Sequence, residues 1–513
     1  MISRIKIKKR KYCTLLLTFI ILGSSFSFIV SGKNKSNFLY EYEHLDNNYI
    51  YNITKALSNI IFTEYNESAG EIAKGRAYGT KGEHKAAEIL YENMSKLGLY
   101  TYKEQISNTK RYPKLTHELE IVDYFLKINN KTVDSYIAPV WIKTSENNYN
   151  INHTYNYSNS NLKVVRAPIV PSLYILKQKI KRELEPFVII LEDKAFYPKN
   201  PILKLFPIFD NFYFNYYGVT MGRKLATLAY YSLWNKYMKN CKGIILYDFN
   251  KDCHDMFFLK NMNSIPIIFI NGTNGNEILN DIKNTRIDFM LKQRLNTSTV
   301  SYNVIGQLNA TNPENDTVII DCLYDSWWCQ GTADSAIGMS MVLAIAKYFK
   351  ENNITPKYNL KFIGFGGEEH GFCAGSKYYE DFHSDEKIKY VIDLNQLGFW
   401  QENDKLKLDI IANKLDFLKE IWDIVKQSNY GERVNSSEKA VPILLIDGGP
   451  SNSQPFAKRG NIKTVCFLKD SGWKLHHRDG LNHTEGDVIK YFDPEDVNVT
   501  GEIILNVVKY LTT

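Results

Sequence analysis

Thr317-Val-Ile-Ile-Asp-Cys322 is followed by Leu323-Tyr-Asp325-Ser-Trp-Trp-Cys-Gln-Gly-Thr-Ala-Asp334-Ser-Ala-Ile-Gly338, and then by an apolar stretch that runs to Phe349. The first segment is short and rich in β-branched residues, the pattern of a strand buried on both faces. The last, Ala336–Phe349, is long enough for a helix and apolar on most faces, so it too is expected inside. Between them lies a loop with two aspartates and two tryptophans. The same unit recurs downstream. Tyr358–Phe365 leads into Gly366-Gly-Glu368-Glu369, Ile388–Leu394 into Asn395-Gln-Leu-Gly398, and Lys463–Leu468 into a loop ending His483-Thr-Glu-Gly-Asp487. Leu415–Gln427 reads as a helix, and another opens at Asp493-Pro494-Glu495 with a capping residue followed by proline. Strands alternating with helices predict an α/β fold, a mostly parallel sheet covered by helices on both faces. In such sheets functional groups collect beyond the carboxyl ends of the strands.

Outward from this core, the chain of 513 residues is too long for one compact domain. Residues 45–110 hold a helix with Ala86, Ala87, Leu90, Met94 and Leu97 at three-to-four spacing, stopped by Gly98. They are expected to pack with 300–513 as one domain. Residues 115–295 read as an inserted, mostly β domain with strand-like runs at Phe187–Leu191, Gly243–Tyr247 and Ile265–Ile270. Its Asp252-Cys-His-Asp255 cluster reads as a solvated loop, and the aromatic-rich Phe206–Tyr217 stretch as a local core.

The net charge of +7 comes almost wholly from Arg4, Lys6, Lys8, Lys9, Arg10 and Lys11, so the body is near neutral and no basic field for nucleic acid remains. That basic cluster runs into apolar Thr14–Val30. Residues 1–32 therefore read as a signal peptide or an uncleaved N-terminal anchor, with membrane association through 1–31 as the second option. Either way the chain is expected to be secreted or extracytoplasmic. Six cysteines beyond the targeting segment are too sparse for a disulfide scaffold and lack Cys-x-x-Cys spacing. Buried free thiols are the expectation, with Cys241–Cys253 the one pairing considered.

The polar clusters share a chemistry. Carboxylates with one histidine are the donor set of a hydrolytic zinc site, and a further carboxylate serves as base. Singly, each signal is weak. A Glu-Glu pair is usually a surface pair, and Asp334 before a helix is as readily an N-cap as a ligand. Their order and their placement after strands carry the argument.

In that order they resemble the secreted dizinc exopeptidases, the family that includes bacterial leucyl aminopeptidase, aminopeptidase Y and plasma glutamate carboxypeptidase. Arg76-Ala-Tyr-Gly-Thr-Lys-Gly82, Tyr302-Asn-Val-Ile-Gly306, Tyr324-Asp-Ser-Trp327, Phe365-Gly-Gly-Glu-Glu369, Gly375-Ser376 and His483-Thr-Glu-Gly-Asp487 carry the likeness. The resemblance implies a zinc exopeptidase-like fold with an inserted protease-associated domain. It makes Glu368 the general base and Asp334, Glu369 and His483 metal ligands, with Asp325 an orienting residue. Two positions depart from the pattern: the resemblance puts a histidine where Leu323 stands and an aspartate where Asn395 stands. Both belong to one of the two zinc sites, and Asp393 lies too far back along its strand to substitute. One zinc ion is therefore expected. The leading reading is a metallo-exopeptidase, an aminopeptidase-like hydrolase of peptides or aminoacyl amides. A catalytically degenerate binding protein (a pseudoenzyme) and a glutaminyl-cyclase-like acyltransferase stay open beside it.

Overall fold

The structure is a computed structural model, and it describes residues 44–60, 75–140, 154–166, 185–192, 240–247, 265–312, 316–369, 372–398, 408–427, 440–446, 451–469 and 483–513, with 65–66, 70–71, 253 and 314. The targeting segment, Phe206–Tyr217 and most of the Asp252–Asp255 cluster lie outside the described residues.

The expected parallel core is present. Lys463–Lys469, Ile388–Asn395, Thr317–Leu323 and Asn359–Phe365 lie side by side in that order and run parallel. Every residue of Thr317–Leu323 and Asn359–Phe365 is buried, which is why these strands read as unbroken apolar runs. The flanks are partly antiparallel, within a mostly parallel sheet. Tyr302–Leu308 and Tyr100–Gln105 extend the sheet antiparallel on one side. On the other, Leu408–Ala412 joins Lys463–Lys469 antiparallel and Ala440–Leu444 completes the edge. A parallel centre with antiparallel flanks is a common compromise in large α/β sheets.

Helices cover both faces. Ile337–Glu351 packs on the Thr317–Leu323, Asn359–Phe365 and Ile388–Asn395 strands, and Asn47–Ser58 packs on it in turn. Lys81–Lys96 lies on the Tyr302–Leu308 and Tyr100–Gln105 strands. Thr80 caps its first turn by accepting from the Glu83 N–H, and Gly98 leaves it at φ 72°. The opposite face is a smaller core of Ile305, Ile319, Ile363, Phe365, Tyr379, Val391 and Phe456. Asp493 caps Pro494–Thr512, with the proline in its first turn.

A second eight-stranded sheet is built from residues 118–296. Its order is Lys131–Thr132, Glu118–Ile128, Arg286–Asn296, Thr154–Arg166, Phe187–Glu192, Cys241–Tyr247, Ile267–Ile270 and Tyr136–Ala138. The long Glu118–Ile128 and Arg286–Asn296 strands pair antiparallel. Thr116 Oγ1 donates to Thr297 O at 2.7 Å, and Thr299 N donates to Thr116 O at 3.1 Å, so the chain enters and leaves this sheet at one point. Cys241 and Cys253 do not pair; all six described cysteines are free thiols. Among the described residues, no helix is long and apolar enough to cross a membrane.

Candidate metal centre

Asp334, Glu369 and His483 come from three loops, each placed after the carboxyl end of a parallel strand. Asp334 lies in the Thr332–Ala336 turn, where its φ and ψ (−118° and 81°) are not helical and the Asp334–Ser335 peptide bond is cis. It does not cap the following helix, whose N-cap is Ala336 without any side-chain bond. Gly338 lets that helix approach closely: a Cβ there would meet Leu394 O at 2.7 Å and Cys322 Sγ at 2.8 Å. One donor atom from each of Asp334, Glu369 and His483 lies within 4.8 Å of the other two. His483 Nε2 is 2.9 Å from Asp334 Oδ2 and 3.3 Å from Glu369 Oε2.

Supporting groups fix these loops. Asp325 accepts from the backbone N–H groups of Glu368 (2.9 Å) and Glu369 (3.1 Å), so one carboxylate orients the whole glutamate pair. With Leu323 before it there is no imidazole to orient, and its partners are backbone amides instead. Asp487 does the equivalent for the aspartate loop, accepting from Ala333 N (2.8 Å) and Asp334 N (3.1 Å). Cys373 Sγ is 3.7 Å from Glu368 Oε1. Trp327 meets the His483 ring edge-on, with centroids 5.7 Å apart.

The two departing positions are occupied in ways that suit their residue types. Leu323 is fully buried and belongs to the main apolar core with Val318, Ile320 and Phe362. Asn395 accepts from Ser335 Oγ at 3.1 Å and donates to Ser451 Oγ at 3.0 Å. Asp393 points elsewhere, accepting from the Ser453 N–H at 2.9 Å.

Electrostatically this is a buried excess of negative charge. Burial, then its neighbours Glu369, Asp325 and Asp334, pushes the Glu368 carboxyl well up. Burial also raises Glu369 and Asp325, although His483 pulls the first back down and backbone N–H bonds the second. Burial alone would lower His483, but Glu369 and Asp334 beside it raise it well above the usual imidazole range. Among the described residues Glu369 Oε1 is buried with no hydrogen-bond partner, an orphan that a cation would satisfy. Two carboxylates and an imidazole are a zinc donor set. The residues present therefore fit a metal ion.

Sequence reasoning passed over Arg76, Gln396, Ser335 and Ser451, which act through hydrogen bonds to the loops. None of the four was given a role from the sequence, since each acts through a distance to another loop.

Comparison with known proteins agrees with the resemblance seen in the motifs. Residues 303–508 match peptidase family M28. Aminopeptidase YwaD of Bacillus subtilis is 24% identical over 286 residues, which are 54% of this chain and 59% of that protein. Carboxypeptidase Q of Rattus norvegicus is 21% identical over 206 residues, 40% of each chain. The chain thus spans well under two thirds of the length of either relative. The structure of BSAP, a zinc aminopeptidase from Bacillus subtilis, superposes with a TM-score of 0.59 at 18% identity, covering 91% of this chain and 96% of that one. A peptidase M28 precursor from Shewanella amazonensis gives 0.59 at 16% identity, over 89% and 91%. The fold is that of these α/β peptidases.

Proposed function

We propose that this protein is a zinc-dependent hydrolase of peptides or aminoacyl amides that works with a single zinc ion held by Asp334, Glu369 and His483. The observation that carries the reading is the convergence of these three side chains beside a further carboxylate, Glu368, with one buried oxygen of Glu369 unpartnered among the described residues. The likeness to a zinc aminopeptidase in fold and the family match over 303–508 support it. Bound zinc supplies Lewis acidity toward the substrate carbonyl.

The chain's own groups supply the rest. Glu368 stands next to a ligand, and its raised proton affinity suits a general base that takes a proton from water and returns it to the departing amine. Asp325 keeps it aimed through the backbone bond at 2.9 Å. Leu323 and Asn395 limit the site to one ion, since a core leucine has no donor and a neutral amide adds no charge to hold a second dication. Asn395 also leaves no carboxylate at its position to pair with a substrate ammonium group, so preference for a free amino terminus is expected to be weak.

Elemental analysis after dialysis should find at most one zinc per chain, and Glu369→Ala or His483→Ala should abolish its binding. The double change Leu323→His with Asn395→Asp should raise the capacity toward two. Purified protein should hydrolyse aminoacyl amides or dipeptides, and Glu368→Gln should cut kcat by about 10²–10⁴-fold while zinc stays bound. Two tightly held ions in the wild type would overturn the ligand assignment. Absence of zinc would point instead to a peptidase fold used for binding.

A further inference from the structure

Asp334 is held from the side by a residue that no part of the proposed reaction uses. Gln396 follows the strand Ile388–Asn395 and takes a left-handed backbone conformation, φ 50°, which a non-glycine residue adopts only when its surroundings require it. Both ends of the residue are tied to the aspartate turn. Its backbone N–H donates to Ser335 Oγ at 3.0 Å, and its side-chain Nε2 donates to Asp334 Oδ2 at 3.1 Å. The same Ser335 hydroxyl donates to Asn395 Oδ1, and Asn395 Nδ2 donates in turn to Ser451 Oγ. Gly398, at φ 71°, closes the turn against Ile337 and Val497, where a Cβ would lie 2.7 Å and 2.6 Å from their methyl groups. The strand end therefore cannot slide away from Asp334.

We infer that Gln396 is a positioning residue for the metal centre: its side-chain amide fixes the Asp334 carboxylate in the orientation that faces His483 and Glu369. The inference rests on the metal-site reading above. An amide suits this task because it donates without bringing charge. Asp334 keeps its full negative charge for the cation, whereas a carboxylate at 396 would repel it and an apolar side chain would leave it free to rotate. The neutral chain Gln396, Ser335, Asn395 and Ser451 thus ends on one of the two carboxylates that face the ion, as Asp325 serves the other. Groups that orient a metal's ligands in this way typically contribute 10–100-fold to affinity.

The test compares the full-length wild type with Gln396→Leu and Gln396→Asn, the second keeping an amide too short to reach. Zinc dissociation constants are measured by chelator competition, and thermal midpoints are recorded on the metal-free proteins. Both variants should hold zinc about 10–100-fold more weakly, with metal-free midpoints close to the wild type. A residue with a merely structural role would lower the midpoint and leave the zinc constant alone, and that result overturns the inference. So does an unchanged constant in either folded variant while the wild type binds zinc tightly. A wild type that binds no zinc sinks the proposed function, and this inference with it.

Discussion

Asp321 and Asp393 occupy paired positions on neighbouring parallel strands, both wholly buried. Neither oxygen of Asp321 has a hydrogen-bond partner among the described residues. Burial pushes both carboxyls up, Asp393 to about 6 and Asp321 well above its usual range with the Asp393 charge adding to it. Cys466, a buried thiol, continues the row across the sheet. Because the folded pKa values exceed the unfolded ones, the stabilising protons are fully present below about pH 4; that of Asp393 is lost as pH rises through about 6, and that of Asp321 at higher pH. Asp321→Asn should therefore flatten the decline of the thermal midpoint as pH rises above about 4. Curves for mutant and wild type that stay parallel would contradict the assignment. At this scale the sequence was informative for residues whose chemistry is their type. Asp334, Glu369 and His483 are ligand types in loops after strands, and the structure brings them together. It was silent on Asp321, because an aspartate inside an apolar run looks the same whether it sits at a strand end or in the core. Gln396 was equally hidden, since its importance lies in a distance to Asp334.

Elements were legible where burial writes an unbroken pattern. Thr317–Leu323, Asn359–Phe365, Ile388–Asn395 and Lys463–Lys469 all appear within a residue or so of their expected bounds, as does the Leu415–Gln427 helix. The flanking strands escaped notice for physical reasons. Tyr100–Gln105 is half-exposed with mostly polar side chains, and Ala440–Leu444 carries Pro442, which only an edge strand accommodates. The segment before the Lys81–Lys96 helix was legible as a motif but not for what Arg76 does. There Arg76 is fully buried and donates to four carbonyls: Tyr324 (2.7 Å), Leu57 (3.1 Å), Gln330 (2.5 Å) and Gly331 (2.9 Å). Its own backbone N–H donates to Ser326 Oγ. One planar guanidinium thus ties the amino-terminal segment to both ends of the Asp325 loop, a fork that a lysine ammonium cannot reproduce. Arg76→Lys should leave buried carbonyls unsatisfied and cost roughly 3 kcal/mol or more. That corresponds to a fall of about 5 °C in the thermal midpoint of a domain of this size. A midpoint within a degree or two of the wild type would show that the carbonyls find other partners.

At the scale of the whole molecule, the two sheets meet at the loop that carries the site. Trp327, on the Asp325 loop, is 3% exposed and is buried among Leu119, Tyr136, Phe187, Phe269 and Leu295 of the second sheet, with Cys329 beside it. Its ring also meets His483, and Cys253 Sγ lies 3.6 Å from Thr484 Oγ1 on the next residue. We propose that residues 115–295 form a separately folding unit, entered and left at the Thr116–Thr297 contact, which docks on the catalytic sheet mainly through this tryptophan. Two consequences then belong together. Removing the indole deletes a large apolar contact worth about 3–5 kcal/mol in a well-packed site, and it also removes a wall from the His483 imidazole of the proposed metal site. Trp327→Ala in the full-length chain should therefore loosen zinc binding, and should split thermal unfolding into two transitions as the second sheet comes free to melt alone. Calorimetry decides between the alternatives. A single transition at a lower temperature would mean that the sheets unfold as one body. Two transitions with unchanged zinc affinity would mean that the docking is structural only and His483 holds its place without it.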